Sequence, residues 1–426
     1  MAFTTLPDGP IQLANVTVPG CLIGDPRDLV ITDLHITDGR IAAHSAAAPT
    51  DMKRAMVFPA FVDMHTHLDK GHIWPRSPNP DGTFLGALTT VRADHAVWTP
   101  EDLRPRIEFS LKAAHAHGTR AIRTHIDSIA PQDQISWPVL RDIRTEWADK
   151  IALQAVCLVG CDRVPSDDFT RTADIVAASQ GVLGMVTYPM HDLKDRLLAF
   201  FRLAADRNLH VDFHVDETMD PSVETLRMIA ETVIEIGFDA PVTVGHCCSL
   251  SVQDEARALT TLDLVAKAGL NVVSLPMCNL YLQDRHAQRT PRNRGITLVH
   301  EMKARGIPIS FASDNTRDPF YAYGDMDMLE VMREATRIGH LDHSDPDWTA
   351  AFTTTPAATC GFDAPSLAPG APADLVICKA RTWTELFARP QSDRIVLRGG
   401  KQIDRTLPDY SELDHLMQPS SSEAVG

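Results

Sequence analysis

The spacing of apolar residues changes several times along the chain, and those changes divide it. From residue 57 to 355, short apolar runs alternate with longer stretches in which apolar residues recur at helical spacing. The runs predict strands at Val57–His67, Ala121–His125, Ile151–Val159, Gly181–Val186, Leu209–Val215, Val242–His246, Leu270–Leu275 and Ile307–Ser313. Most gaps hold a helix-like segment, such as Glu101–His117 or Val223–Gly237. Gly118, Gly237, Gly269 and Gly306 stand where such helices must stop, because glycine accepts the left-handed conformation that closes a helix. Eight strands alternating with helices predict an α/β chain built on a (β/α)8 TIM-like barrel. An open doubly wound sheet is the rival, but no Gly-x-Gly-x-x-Gly turn follows the first strand.

The ends follow a shorter period. Ile11–Val18 and Leu29–Ile36 alternate as strands do, with turn signals at Asp38-Gly39 and Pro49-Thr50. Ala373–Cys378 and Arg394–Gly400 repeat that character. The division expected is a small β-sandwich domain from residues 1–56 and 366–417, a barrel over 57–365, and a disordered tail over 418–426.

Composition removes whole classes of function. Apolar residues make up 44% and charged residues 23% of 426, the balance of a globular chain with a sizeable core. Lys and Arg number 40 against 56 Asp and Glu, a formal charge of −16 that repels a nucleic-acid backbone. A small-molecule substrate is the expectation, with neither nucleic acid nor membrane as partner. The first residues lack a basic start and an apolar stretch, and the eight cysteines form no Cys-x-x-Cys pair. These features predict a cytoplasmic address.

The strongest local signal is His65-Thr66-His67, at the end of the first predicted strand. Residues i and i+2 of a strand face one side, so both imidazoles reach one point. In a barrel that point lies at the C-terminal mouth. Two histidines at this spacing suit one divalent ion such as Zn²⁺ or Fe²⁺; one core histidine and one turn histidine is the plainer alternative. His214, His246 and Asp314 end three further strands and converge on the same mouth. Imidazoles and a carboxylate around one ion leave a position for water, whose pKa falls toward about 7.

Phe58-Pro59-Ala60-Phe61-Val62-Asp63-Met64-His65-Thr66-His67 resembles the first-strand signature of the amidohydrolase superfamily. Arg123-Thr124-His125-Ile126-Asp127, His214-Val215-Asp216-Glu217, Leu282-Gln283-Asp284-Arg285, Arg294-Gly295-Ile296-Thr297 and Asp314-Asn315-x-x-Asp318-Pro319-Phe320 are similar to bacterial cytosine deaminases. The resemblance implies a hydrolytic deaminase that exchanges a ring amino group of a cytosine-like aminopyrimidine or related N-heterocycle for a carbonyl, releasing ammonia. It implies that His65, His67, His214 and Asp314 hold one divalent ion, Zn²⁺ or Fe²⁺, and that Asp314 also takes a proton from the attacking water. Glu217 would protonate the ring nitrogen beside the attacked carbon. His246 would hydrogen-bond the attacking oxygen or the tetrahedral centre. Binuclear members carry a bridging Lys on the fourth strand; here Thr187-Tyr188-Pro189-Met190-His191 stands instead. By analogy with such relatives, a homo-oligomer is the expectation.

The departures bear on the substrate. Gly160 stands where the cytosine enzymes place a base-reading Gln, which removes a side-chain hydrogen bond and opens space. Asn315 and Phe320 replace an Asp and a Trp. In these features, and in Leu68-Asp69-Lys70, the chain is also similar to isopropylammelide amidohydrolases. Lys70, Gln283, Asn315 and Phe320 are the expected substrate contacts. Asn279 is a further candidate; His72, His95, His125 and His191 read as structural. The alternative chemistry is hydrolysis of a cyclic amide or an N-alkylamino-triazine by the same hydroxide. A barrel with a dead site would need a broken ligand set, and every expected ligand is present.

Overall fold

In the computed structural model, which describes residues 2–417, five strands come first: β1 (Ile11–Pro19), β2 (Leu29–Thr37), β3 (Arg40–Ala42), β4 (Pro49–Asp51) and β5 (Met56–Pro59). Eight more alternate with helices: β6 (Phe61–Thr66), β7 (Thr119–Asp127), β8 (Ala152–Leu158), β9 (Leu183–Val186), β10 (Val211–Val215), β11 (Val242–His246), β12 (Asn271–Ser274) and β13 (Ile309–Phe311). The described strands end with β14 (Leu375–Cys378), β15 (Ile395–Arg398) and β16 (Lys401–Gln402). The segment 418–426, expected to be disordered, lies outside the described residues.

All eight strands expected between residues 57 and 355 are present. β6, β7 and β8 pair in parallel as one sheet, and β9 to β13 pair in parallel as another, both in chain order. Single parallel bridges link their edges: Val156 to Val182 and Gly160 to Val186 on one side, Thr66 to Asp314 on the other. The C-terminal ends of all eight strands therefore point the same way. Helices such as Pro100–His117, Gln132–Glu146 and Thr225–Ile236 make the crossovers. Gly118, Gly237, Gly269 and Gly306 all have left-handed φ, between 62° and 104°.

The terminal segments form one mixed sheet in the order β16-β15-β14-β5-β1-β2-β3, with β4 on β1. By hydrogen bonding the strands expected to form a small β-sandwich belong to one eight-stranded sheet. Pro49-Thr50 was expected to turn; instead β4 runs parallel to β1, with Gln12 opposite Pro49. The apolar run expected as one strand, Val57–His67, is two. Pro59 pairs with Leu375 in the terminal sheet, and Phe61 N–H donates to Gly118 at the start of the parallel strands, at 3.1 Å. The chain crosses between sheets at Ala60. Both halves are buried, so no change of period marks the crossing in sequence.

Two large clusters make up most of the core. Leu111, Ile122, Phe200, Phe213, Val244 and Leu262 belong to the large cluster between parallel strands and helices. Leu13, Val16, Ile36, Leu375, Ile395 and Leu397 form a second one under the terminal sheet. Burying each such side chain contributes about 1.5–3 kcal/mol. No helix among the described residues is long and apolar enough to cross a membrane.

Candidate active site

Alternation along the parallel strands stacks polar groups in layers. On β7, Arg123, His125 and Asp127 share one face; on β10, Asp212 and His214 do. Arg123 Nη1 donates to Asp212 Oδ2 at 2.9 Å and to Thr243 Oγ1 at 3.3 Å, which ties β7, β10 and β11 together in one layer. Two residues further along each strand come the imidazoles. The ring of His65 lies 3.9 Å from His125 and 4.6 Å from His214, centroid to centroid. His65 packs so close to β11 that a Cβ at residue 245 would sit 3.1 Å from its Cε1; Gly245 leaves that space free. The far edge is tied by Ser313, which donates through N and Oγ to Asp63 at 3.1 and 2.5 Å, and by Asp314 N–H to His65 O at 2.9 Å.

The predicted ligands meet at this point. His67 Nε2 lies 3.2 Å from Asp314 Oδ1 and 3.3 Å from His214 Nε2, and His65 Nε2 is 3.5 Å from Asp314 Oδ1. Donor atoms of His65, His67, His125 and His214 fall within 4.8 Å of one another, as do those of His65, His246 and Asp314. Both nitrogens of His65 and both oxygens of Asp314 are buried without a hydrogen-bond partner. An unmet buried polar group costs about 1–3 kcal/mol. Burial first, and then neighbouring imidazoles and cations (Arg123 at His65, Lys70 at His67 and His214), holds all three well below the ordinary imidazole range, so each offers a lone pair. Burial pushes Asp314 up to about 8. Neutral nitrogens and a buried acid that a bound cation would hold ionised, around one point, fit a divalent ion.

Glu217 and His246 stand beside that cluster. Asp216, in the left-handed region at φ 49°, turns away and accepts from Thr225 and Leu226 at the start of the next helix, which leaves Glu217 facing the mouth. Helix Pro276–Leu282 and its next residue bring Asn279 and Gln283 to it. Asn279 Nδ2 donates to Glu217 Oε1 at 3.2 Å and lies 3.0 Å from His246 Nδ1; Gln283 Nε2 donates to Glu217 O at 3.3 Å. With Nδ1 accepting from Asn279, the proton of His246 sits on Nε2, which is buried and unpartnered. Burial, and then Asp314, raises Glu217 well above the ordinary carboxyl range. His246 and Asp314 have φ of 70° and 64°. A non-glycine residue held there costs about 1–3 kcal/mol, and such strain gathers at functional sites.

The expected substrate contacts divide. Lys70 is buried, with its ammonium 5.5 Å from the Phe320 ring centroid. Asn315 is committed to the loop: Nδ2 donates to Asp318 Oδ2 at 2.7 Å, and Cys278 Sγ reaches Oδ1 at 3.5 Å. The space expected beside Gly160 is taken. A Cβ there would meet Asp162 Oδ1 at 2.5 Å, and Tyr188 OH donates to that oxygen at 2.5 Å. His72 pairs with Ser110, and His191 is exposed. His125, read as structural, stands inside the imidazole group, with Nε2 3.4 Å from Asp212 Oδ1. The shared face of Arg123, His125 and Asp127 was the available signal for it.

The amidohydrolase family model matches residues 110–404. A pterin deaminase of Rhizobium rhizogenes is 52% identical over 417 residues, covering 94% of this chain and 95% of the relative. The chain belongs to the amidohydrolase family. It is a hydrolytic deaminase of that family. A crystal structure of 5-methylcytosine deaminase from Klebsiella pneumoniae, liganded with 5-fluorocytosine, has a TM-score of 0.78 at 26% identity, covering 94% of this chain and 98% of that one. N-isopropylammelide isopropylaminohydrolase from Burkholderia multivorans shares the fold, with a TM-score of 0.72 at 24% identity over 94% and 100% of the two chains.

Proposed function

We propose that the chain deaminates a pterin-like fused aminopyrimidine, replacing the ring amino group by a carbonyl. The carrying observation is the placement of two carboxyl groups, Glu217 and Asp314, whose oxygens approach within 4.8 Å beside the imidazole cluster. The 52% identity to a pterin deaminase supports a fused ring over cytosine itself. We also read the two parallel sheets as one closed (β/α)8 barrel, with residues 1–56 and 366–417 as a separate small β domain.

His65, His67, His214 and Asp314 would hold the divalent ion, the set the family resemblance implies; His125, whose donor atom lies in the same group and whose Nε2 is 3.4 Å from Asp212 Oδ1, stands beside that set. The chemistry such an ion supplies when bound is a nucleophile at neutral pH, since it lowers the pKa of water toward about 7. Asp314 takes one proton from the attacking water. Glu217, protonated, gives its proton to the ring nitrogen beside the attacked carbon. His246 donates through Nε2 to the oxygen that gains charge. Asp314 then returns its proton to the amino nitrogen, the C–N bond breaks and ammonia leaves. The proton on the added oxygen restores Glu217 as the carbonyl forms.

The test is ammonia release by metal-loaded protein from pterin, cytosine, isocytosine, ammeline and N-isopropylammelide, with product masses. Ammonia from pterin, with exchange of NH for O, is expected. Isopropylamine from N-isopropylammelide, with pterin unchanged, would favour the alkylamino-triazine chemistry instead.

A further inference from the structure

The turn after His67 carries a lysine that is fixed at both ends. Lys70 is 3% exposed, and among the described residues its ammonium has one hydrogen-bond acceptor, Asp127 Oδ1 at 2.8 Å. Asp127 Oδ2 faces His95 Nε2 at 2.8 Å, so each carboxylate oxygen has its own partner. The Asp127 N–H donates to Asp69 Oδ2 at 2.7 Å. Buried Arg106 donates through Nη1 to Asp69 O at 2.5 Å and Gly71 O at 3.0 Å, the carbonyls on either side of Lys70. His95 in turn packs edge-on to Trp98, whose Nε1 donates to Asp94 at 2.7 Å. A side chain that ordinarily samples many rotamers is thereby pinned at its backbone and at its tip.

An ammonium has three donors, and Asp127 takes one. The ammonium stands beside Phe320, on the loop that follows Asp314. The Lys70 turn follows the end of β6 directly, and Phe320 stands on the loop after Asp314, so the ammonium lies between two segments that leave the site. We propose that Asp127 and His95 are positioning residues that aim Lys70 at an exocyclic carbonyl oxygen of the substrate ring, so that the enzyme selects rings bearing that oxygen. This rests on the deaminase reading above and names the feature its substrate must carry.

The charges decide between a carbonyl and a carboxylate as the acceptor. Lys70 and Asp127 already balance each other at 2.8 Å, and the neighbouring site already holds two further acids, Glu217 and Asp314, with oxygens within 4.8 Å of one another. A second carboxylate would gain little from a cation so matched and would face those acids. A neutral carbonyl takes a spare N–H without that repulsion.

Pterin and 2-aminopteridine test this: they differ in the carbonyl oxygen and the ring N–H that accompanies it, and the Lys70 variant separates the two. Calorimetric binding to metal-loaded Glu217→Gln protein is expected to favour pterin by about 10- to 100-fold, the value of one hydrogen bond to a charged donor. In steady state, Lys70→Met abolishes the preference. Asp127→Asn and His95→Phe raise KM for pterin more than they lower kcat, and they shrink the preference. His95→Gln, which keeps a donor toward Asp127, restores most of it. An equal fall for both rings in every variant would overturn the proposal, as would a preference untouched by Lys70→Met. Inactivity of the wild type on every ring would instead overturn the deaminase reading.

Discussion

Arg76, Arg106, Asp94 and Asp102 meet beneath the turn that follows His67, and His65, His67, His214 and Asp314 meet just beyond it. Both clusters are buried. In the first, every charge is answered: Arg76 binds Asp94 at 2.8 Å and also Asp102, and Arg106 binds Asp102 at 2.6 Å. Trp98 and Ser77 fill the remaining acceptors of Asp94. No side-chain atom of these four residues is buried without a partner. In the second cluster the unpartnered atoms face one another. A closed network of buried charges fixes geometry; an open one is completed by something bound. The closed network here holds the Lys70 turn and, through Trp98, His95. The open one is placed to do chemistry.

Breaking the open cluster is expected to give the largest effect. Asp314→Ala abolishes turnover, and Glu217→Gln lowers kcat by about 10²- to 10⁴-fold, the usual contribution of a positioned proton-transfer group. Steady-state rates with thermal melting would check that the fold is retained. Breaking the closed cluster should do the reverse. Asp102→Ala leaves two buried guanidinium groups short of a partner and costs about 3–5 kcal/mol of stability in denaturant unfolding. His214→Ala, measured in ion-free protein, should cost much less, because it relieves crowding among unpartnered imidazoles.

A pH series sharpens the comparison at the closed end. Burial, then Arg317 and Arg106, pushes His72 down to about 3. Unfolded, it titrates at its ordinary 6.5, so between those values the unfolded chain binds a proton that the folded one refuses. Its share of stability is full above about pH 6.5 and is lost as pH falls toward 3. His72→Gln should flatten that part of a stability–pH curve. The smallest effect belongs to the surface. Lys112 and Glu412 pair at 2.9 Å with both side chains nearly half exposed, and Lys112→Ala should change stability by about 0–1 kcal/mol in the same unfolding assay.

How much of this was legible in sequence follows from the range of the interactions. β11 matches its expected bounds, Val242–His246, because a short apolar run that starts after a proline is a local signal. The crossing at Ala60 was hidden, since both sheets bury their strands and the apolar run continues through it. The convergence of His65, His67, His214, His246 and Asp314 was readable from strand ends alone. The Lys70–Asp127–His95 set was not, because it joins three separate elements through side-chain tips. Gly160 shows the limit of comparison by substitution: the space left by a missing side chain is taken by Asp162 and Tyr188, which only the packing reveals.

The central claim is that the open cluster is completed by a single divalent ion. The direct measurement is metal content per chain, with the accompanying change in melting temperature, for wild type and Asp314→Ala after stripping and reloading. One ion per wild-type chain, a melting temperature that rises on loading, and loss of both in Asp314→Ala are predicted. Stoichiometric binding that survives Asp314→Ala, or no binding by the wild type, would contradict the account.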